Sequence, residues 1–461
     1  MKIKNKKELL QTPKGMRDIL PHDLLYWKAV ETKAEDIARS YGFKPIRTPH
    51  VEKAELFGLT LGETSDIVEK QMYAFKTRGG DALVLRPEGT VPMMRAYFEH
   101  GMHTWPQPVM LYYSGSFFRH ENPQRGRWRE FGQFGVEIMG EESGLSDAYI
   151  IHVFALILQE LGFKKFTVHV NTLGDKECRG EFRKELVAYY RRKVNSICRD
   201  CKRRLKENPL RLLDCKNPMC VEVRADAPQM MSYACLSCRA HFKLVLEFLD
   251  DFEIPYKIAP HLVRGLDYYS RTVFEIFADA DADTKKEKAD DASTETGGEK
   301  TEPQKEKEKE KENAAPIALA AGGRYDYLAE VMGDRKVPGV GGALGLDRIV
   351  DELKERKIVP FKEKAPAVFL VQIGAQAKRK SLVLFEQLRK SRFGVAQSFS
   401  RDNLRTQLDL ANKLGAAYAL IIGQKEALDG TVIVRDMGSG TQESVYQKKV
   451  LDHLKKKMKN S

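Results

Sequence analysis

Three observations predict an α+β domain followed by a small α/β domain. The stretches Val109 to Phe118 and Phe131 to Met139 read as strands on either side of a charged loop, His120 to Arg129, that contains Pro123 and Gly126; this predicts an antiparallel hairpin. From Ala365 onward the rhythm changes to alternating strand and helix, the pattern of an α/β domain with a largely parallel sheet. The 461 residues, 42% of them apolar, are enough for two or three domains with their own cores and too many for one small domain.

In chain order, Leu262 to Phe277 and Ile317 to Met332 are apolar stretches that predict neighbouring strands and a following helix. Between them, Asp279 to Asn313 holds no aromatic or branched apolar residue and has nothing to bury, so a disordered or fluctuating charged insertion (279–313) in a surface loop is expected. Residues 351–365, rich in charge and containing Pro360, read as a linker. Beyond it, Ala367 to Ile373, Ala416 to Ile422 and Thr431 to Arg435 read as strands and Gln376 to Ser391 as a helix.

The formal charge of +12 is uneven. The 279–313 segment holds 13 acidic and 8 basic residues, so the other 426 residues carry +17, and residues 366–461 alone account for +9. That surplus favours a polyanionic partner such as nucleic acid. Apolar runs such as Ala416 to Ile422 fall far short of the ~20 residues that cross a bilayer, and the Lys-rich start leads into no apolar segment. Neither a membrane span nor a cleaved signal is expected, and the expected location is the cytoplasm.

Four clusters carry chemistry. Leu85-Arg86-Pro87-Glu88-Gly89-Thr90 is followed by Phe118-Arg119-His120-Glu121 and by a strand bearing Gln133 and Glu137. Glu88, Gln133 and Glu137 are acceptors suited to an ammonium or an imidazole N–H, and Gln133 and Glu137, four apart on a strand, share one face. Arg119, beside Phe117 and Phe118, needs an anionic partner if it is partly buried. Arg264-Gly265-Leu266-Asp267-Tyr268-Tyr269 and Gly322-Gly323-Arg324-Tyr325-Asp326 follow, and then the Gly-rich run Gly339 to Gly345 leads into Asp347-Arg348. Glycines admit a ligand close to the backbone, and an arginine at a helix start holds phosphate in a bidentate grip. No GxxxxGK[ST] loop and no dinucleotide-type GxGxxG is present, so any nucleotide is held by arginines.

This succession, together with Thr12-Pro13-Lys14-Gly15-Met16-Arg17-Asp18 near the start and Ile46-Arg47-Thr48-Pro49, resembles the histidyl-tRNA synthetases over nearly the whole chain and in the family's order. The resemblance implies an α+β catalytic domain on an antiparallel sheet of the class II synthetase type (1–171 and 252–350), a helical insertion (172–251) and a C-terminal α/β anticodon-binding domain (366–461). It implies activation of L-histidine with ATP and Mg²⁺, transfer to histidine tRNA, and a homodimer built through the region around Pro49. By the same resemblance Arg119, Glu121 and Arg348 hold ATP, Arg119 and Arg264 act at the α-phosphate, and Glu88, Thr90, Gln133, Glu137, Tyr269 and Tyr325 hold histidine. Two positions depart from the family pattern: Asn122 stands where an arginine is usual, and Asp347 where a glutamate is usual. A non-catalytic relative, the synthetase-like regulatory subunit of histidine biosynthesis, is the alternative; it predicts eroded arginines and no C-terminal domain, and this chain keeps both.

Six of the seven cysteines fall between Cys198 and Cys238, with CxxC pairs at Cys198-Cys201 and Cys235-Cys238. Paired CxxC elements predict a structural zinc held by Cys198, Cys201, Cys235 and Cys238, set against ordinary reduced thiols. The 33 residues between the pairs exceed the usual zinc-ribbon gap, and Cys215 and Cys220 compete as ligands. Cys178 stands apart in the sequence.

Overall fold

The computed structural model describes residues 10–62, 65–124, 126–279, 317–333, 335–361, 365–399 and 402–459. The chain divides into two compact units, Met1–Phe361 and Lys362–Ser461. The expected charged insertion lies outside the described residues apart from Asp279.

The first unit contains β1 (Lys44–Pro45), β2 (Val51–Lys53), β3 (Tyr73–Lys76), β4 (Ala82–Leu85), β5 (Val109–Phe118) and β6 (Glu130–Met139). It continues with β7 (Phe166–Thr172), β8 (Tyr256–Ile258), β9 (Ser270–Ala278), β10 (Ala318–Arg324) and β11 (Gly339–Gly345). Eight of these form one sheet in the order β1-β5-β6-β11-β10-β9-β7-β8; β2, β4 and β3 form a smaller one. The six central strands of the large sheet pair antiparallel, and only the short edge strands β1 and β8 pair parallel. The predicted hairpin is β5–β6, and the two stretches flanking the charged segment are β9 and β10, paired to each other with Phe277 opposite Ala318.

Strand alternation gives the large sheet two different faces. On one, Phe134, Val136, Ile138, Phe274, Ile276, Val340 and Leu344 form a core with apolar residues of helices Pro21–Ser40, Gly144–Glu160 and Leu346–Glu355. On the other, Glu137 lies opposite Gly341 and Gln133 opposite Gly345, while Gly341 in turn faces Gly323. Glycine weakens a strand interior, and its concentration at the centre of a sheet marks a place where other atoms need the room. Here they are the site's own side chains: a Cβ on Gly341 would stand 1.6 Å from a Glu137 carboxylate oxygen, and one on Gly135 2.2 Å from the Tyr113 ring.

Between β7 and β8 the chain is helical, as expected, in Lys176–Arg192, Arg199–Glu207, Pro218–Ala225, Met230–Tyr233 and Leu236–Asp251. The last of these is more than part of an insertion. Its Phe242, Val245 and Leu249 are fully buried in the same core as Ile150, Ile151 and Phe154, so residues 236–251 complete the helical layer on the large sheet. The expected linker also requires correction: helix Leu346–Glu355 runs through its first residues, Leu353 is fully buried, and the compact unit extends to Phe361. Period-3.6 burial of Leu346, Ile349, Val350 and Leu353 beneath a charged exterior explains why the segment reads as linker.

The second unit holds β12 (Val368–Gln372), β13 (Val395–Gln397), β14 (Tyr418–Ile422), β15 (Thr431–Asp436) and β16 (Gln442–Tyr446), ordered β13-β12-β14-β15-β16. The first three pair parallel and the last two antiparallel, so the sheet is mixed rather than largely parallel. The added strand β16 comes from a tight turn in which the Asp436 carboxylate accepts from Gly438 N (3.0 Å) and Ser439 N (2.8 Å), and Gly440 takes φ +75°. Helices Ala375–Lys390, Leu404–Lys413, Gln424–Asp429 and Val450–Lys459 complete this unit. Among the described residues no helix is long and apolar enough to cross a membrane.

Candidate active site

Two groups of side chains share the glycine-floored face, one acidic and phenolic, the other cationic. Glu137 is the centre of the first. It is fully buried, and its carboxylate accepts from Thr90 Oγ1 at 2.8 Å and from the Tyr325 hydroxyl at 2.6 Å. Burial pushes its pKa up from 4.5 to about 8 despite these two donors, with the nearby Glu88 charge adding to the rise. At neutral pH in the free pocket this carboxyl therefore holds a proton.

Glu88 is also buried. Its oxygens accept from the backbone N–H groups of Thr90 (2.9 Å) and Val91 (2.7 Å), the first residues of helix Thr90–Glu99, and from the Tyr268 hydroxyl (3.1 Å). Burial raises its pKa, and the helix N-terminus opposes that rise. Glu88 is thus a helix cap as well as a pocket wall, and one of its four lone-pair sites remains for a ligand. Tyr268 and Tyr269 lie 4.6 Å apart between ring centres, and Tyr268 meets Tyr325 edge-on at 6.0 Å. Burial, reinforced by the carboxylates, lifts the Tyr113, Tyr268 and Tyr325 phenols well above their usual range; Tyr268 and Tyr325 are neutral donors to Glu88 and Glu137. Gln133, half-buried, projects from the same face as Glu137 four residues earlier on β6.

The cationic group is Arg119, Arg264, Arg348 and Arg127. Arg119 donates to the Pro87 carbonyl at 2.9 Å, lies over the Phe131 ring at 5.3 Å and stands 3.9 Å from Glu121. Arg264 pairs with Glu275 on β9 and lies 6.0 Å from the Tyr269 ring centre. Arg348, in the first turn of helix Leu346–Glu355, donates to the carbonyls of Gly126 (3.1 Å) and Ala318 (2.9 Å). Its pKa is lowered first by burial and then by the positive charges of Arg127, Arg119 and Arg264, all three of which bear on it. Glu121 joins them, 3.3 Å from Arg127. Such a gathering is stable when a polyanion shares it.

Asp347 anchors the cluster. It accepts from Gly132 N (2.8 Å) and pairs with Arg17 (2.8 Å), whose guanidinium covers Trp128 at 4.2 Å. The shorter aspartate therefore reaches its partners, and the early motif around Arg17 is tied to the last one. Arg324, by contrast, spends its donors inside the fold. It is fully buried and paired with Asp147 and Asp326, and it donates to Ser146 and to the carbonyls of Glu141 and Ser143. Asp147, in turn, is held well below the usual carboxylate range: burial would raise it, and Arg324 and the His241 contact outweigh that.

The structure brings Arg119, Glu121, Arg264 and Arg348 together, and Glu88, Thr90, Glu137, Tyr269 and Tyr325 beside them. Sequence reasoning missed Tyr113 and Tyr268 as pocket walls and Asp147 as the partner of Arg324. Tyr268 was within reach, being adjacent to Tyr269 in the same motif; Asp147 lies 177 residues from Arg324 and sends no local signal. The four expected zinc ligands are not one site. Cys198 and Cys201 lie with Cys215 and Cys220, whereas Cys235 and Cys238 lie with Asp175 and Cys178, because the two CxxC pairs begin different helices. Cys178 does not stand apart: its sulfur is 3.7 Å from that of Cys238.

The profile of the family described as Histidyl-tRNA synthetase matches residues 15–284. The chain belongs to the histidyl-tRNA synthetase family. A profile described as Anticodon binding domain matches residues 358–457, most of the second unit. Among curated relatives, the histidine–tRNA ligase of Dehalococcoides mccartyi strain 195 is 39% identical over 450 residues, covering 98% of this chain and 100% of the relative. That of Natranaerobius thermophilus is 38% identical over 448 residues, covering 97% and 99%. The crystal structure of apo S. aureus histidyl-tRNA synthetase superposes with a TM-score of 0.75 at 30% identity, covering 97% of this chain and 100% of that one. A histidyl-tRNA synthetase fold accounts for the large antiparallel sheet with its polar, glycine-floored face.

Proposed function

We infer that the chain is a histidine–tRNA ligase that joins L-histidine to ATP as the adenylate and passes it to the 3′ end of histidine tRNA. The observation that carries the reading is the adjacency of two charge environments on one sheet face. A buried pocket holds two carboxylates and four tyrosines, and a cluster of four arginines lies beside it. Free histidine brings an ammonium and an imidazole N–H to the first, and its carboxylate faces the phosphates held by the second.

Glu137, with Tyr325 and Thr90 around it, takes the imidazole N–H, and the proton it holds when the pocket is empty passes to the ring as the pair forms. Glu88, Thr90 and Gln133 take the ammonium, and Tyr269 walls the ring. A leucine or phenylalanine would leave Glu137 buried and unmatched, which is a strong basis for rejection. Arg119 and Arg264 hold the α-phosphate while a carboxylate oxygen of histidine bonds to the α-phosphorus and the bond to the β-phosphate oxygen breaks, releasing pyrophosphate. Negative charge grows on the α-phosphoryl oxygens in that step, and fixed guanidiniums stabilise it without reorganising. Arg348 holds the γ-phosphate. Glu121, a hard oxygen donor among the phosphate-binding arginines, suits Mg²⁺, which supplies charge neutralisation for the departing pyrophosphate. No side-chain nucleophile is needed. A terminal ribose hydroxyl of the tRNA then attacks the adenylate carbonyl.

The second unit supplies the anticodon contact and much of the positive charge. The exposed Asn122 lies in the loop that meets the acceptor end. A homodimer through the region around Pro49 is supported by the exposed apolar residues Val51, Leu59 and Phe75 near it. A regulatory, non-catalytic role is disfavoured by the retention of Arg119, Arg264 and Arg348 and of the second unit. Charging of unfractionated tRNA with each labelled amino acid tests the reading: acid-precipitable label with histidine alone supports it, and its absence rejects it.

A further inference from the structure

All seven cysteines are unpaired, and the structure gathers them into two clusters that the reaction does not use. In the first, Cys198 caps helix Arg199–Glu207, Cys201 lies in its first turn, Cys215 follows the turn Pro209–Asp214, and Cys220 lies in the first turn of helix Pro218–Ala225. In the second, Asp175 caps helix Lys176–Arg192 with Cys178 in its first turn, and Cys235 caps helix Leu236–Asp251 with Cys238 in its first turn. Within each cluster the four ligand atoms lie within 4.8 Å of one another.

The spacing is that of a metal tetrahedron. With Zn–S bonds of about 2.3 Å, the edge between two sulfurs of a tetrahedral site is about 3.8 Å. Cys198 and Cys215 are 3.8 Å apart and Cys178 and Cys238 are 3.7 Å apart, far beyond a disulfide bond. Asp175 Oδ2 stands 3.1 Å from Cys238 Sγ and 3.5 Å from Cys235 Sγ, which suits the shorter metal–oxygen bond. Backbone N–H groups already point at the sulfurs. Cys198 N donates to Cys220 Sγ (3.1 Å), Asp175 N to Cys178 Sγ (3.3 Å) and Cys238 N to Cys235 Sγ (3.4 Å), the outer contacts that orient metal-bound sulfur. Each cluster also lies between the N-termini of two helices, whose positive ends offset the net negative charge of a zinc–thiolate centre.

We propose that the chain binds two structural Zn²⁺ ions, one through Cys198, Cys201, Cys215 and Cys220 and the other through Asp175, Cys178, Cys235 and Cys238. Each site forms by loss of thiol protons to solvent, four at the first and three at the second, with no change of oxidation state. The soft, tetrahedral donor sets select zinc over Mg²⁺ or Ca²⁺. The first ion pins three short segments that have little core of their own. The second joins helix Lys176–Arg192 to helix Leu236–Asp251, which packs on the large sheet. It lies close to the pocket wall, since Arg179, next to Cys178, donates to the Tyr269 carbonyl at 2.5 Å.

The test is metal analysis of the full-length protein, produced with zinc in the medium and dialysed under reducing conditions. The expected content is about two zinc per chain, falling to about one in Cys215→Ser and in Cys238→Ser. Loading with Co²⁺ should give a stronger thiolate-to-cobalt band in Cys238→Ser, which keeps four thiolates, than in Cys215→Ser, which keeps three. Should the serine variants misfold, Cys215→His and Cys238→His preserve a ligand and are expected to keep both ions. Less than about a tenth of an equivalent in the wild-type protein, disulfides in place of metal, or iron in place of zinc would overturn the proposal. One equivalent that Cys238→Ser leaves unchanged would eliminate the second site.

Discussion

Glu137 is buried at the pocket centre with a pKa of about 8. Its value in the folded protein lies above its ordinary 4.5, so the contribution of this group to stability is complete below pH 4.5 and is lost as pH rises through about 8. Glu137→Gln removes that dependence. Its thermal midpoint should gain on the wild type as pH rises from 5 to 9, with the free-energy difference growing by at most ~1.4 kcal/mol per pH unit. Calorimetry across that range checks the trend; parallel curves would mean that Glu137 does not titrate there. The same variant should lose roughly 10- to 100-fold in kcat/KM for histidine, the cost of leaving a buried imidazole N–H poorly matched. Arg264→Ala should cut histidine-dependent pyrophosphate exchange by about 10²- to 10³-fold, the range for removing one fixed donor to a developing charge, with the circular dichroism spectrum unchanged. Much of the site at this scale was legible: Glu137 and Gln133 share a face because strands have period two, and the arginines sit in short motifs. The capping role of Glu88 and the company of Cys178 were not legible, because they depend on where a helix starts and on which helix ends meet.

Three elements meet at Arg324. Its ion pair with Asp147 ties β10 to helix Gly144–Glu160, and His241, 3.2 Å from Asp147, brings in helix Leu236–Asp251. Removing one partner of a buried pair strands the other, a loss of roughly 3–5 kcal/mol. Arg324→Met should therefore destabilise the first unit by that amount in urea unfolding, whereas Arg264→Ala, which breaks a partly exposed pair with Glu275, should cost less. A loss from Arg324→Met below about 1 kcal/mol would show the node to be inessential. Strands and helices with a clear period were visible in the sequence. The node was not, because a charge in a motif gives no hint of a partner 177 residues away. The mixed character of the second sheet was hidden for a related reason: β16 alternates only between exposed and half-buried residues, so no apolar repeat marks it.

At the scale of the whole molecule, the large sheet joins strands distant in sequence, with β6 beside β11 and β9 beside β10. Local patterns predicted the hairpin β5–β6 and the two-unit division, whereas the order of the eight strands was available only through the resemblance. Because Phe277 and Ala318 are register partners, the two chain ends around residues 280–316 already lie side by side. Replacing 280–316 with a short Gly-Asn turn should leave exchange activity within about threefold of wild type, since the strand ends to be joined are adjacent and the cost of closure varies slowly with length. Loss of folding on that replacement would assign the segment a structural role. The central claim is that the acidic, phenolic pocket and the arginine cluster together make a histidine-activating site. ATP–pyrophosphate exchange run with each of the twenty amino acids tests it most directly: the wild-type protein should label ATP with histidine alone, and exchange that ignores histidine, or prefers another amino acid, would contradict it.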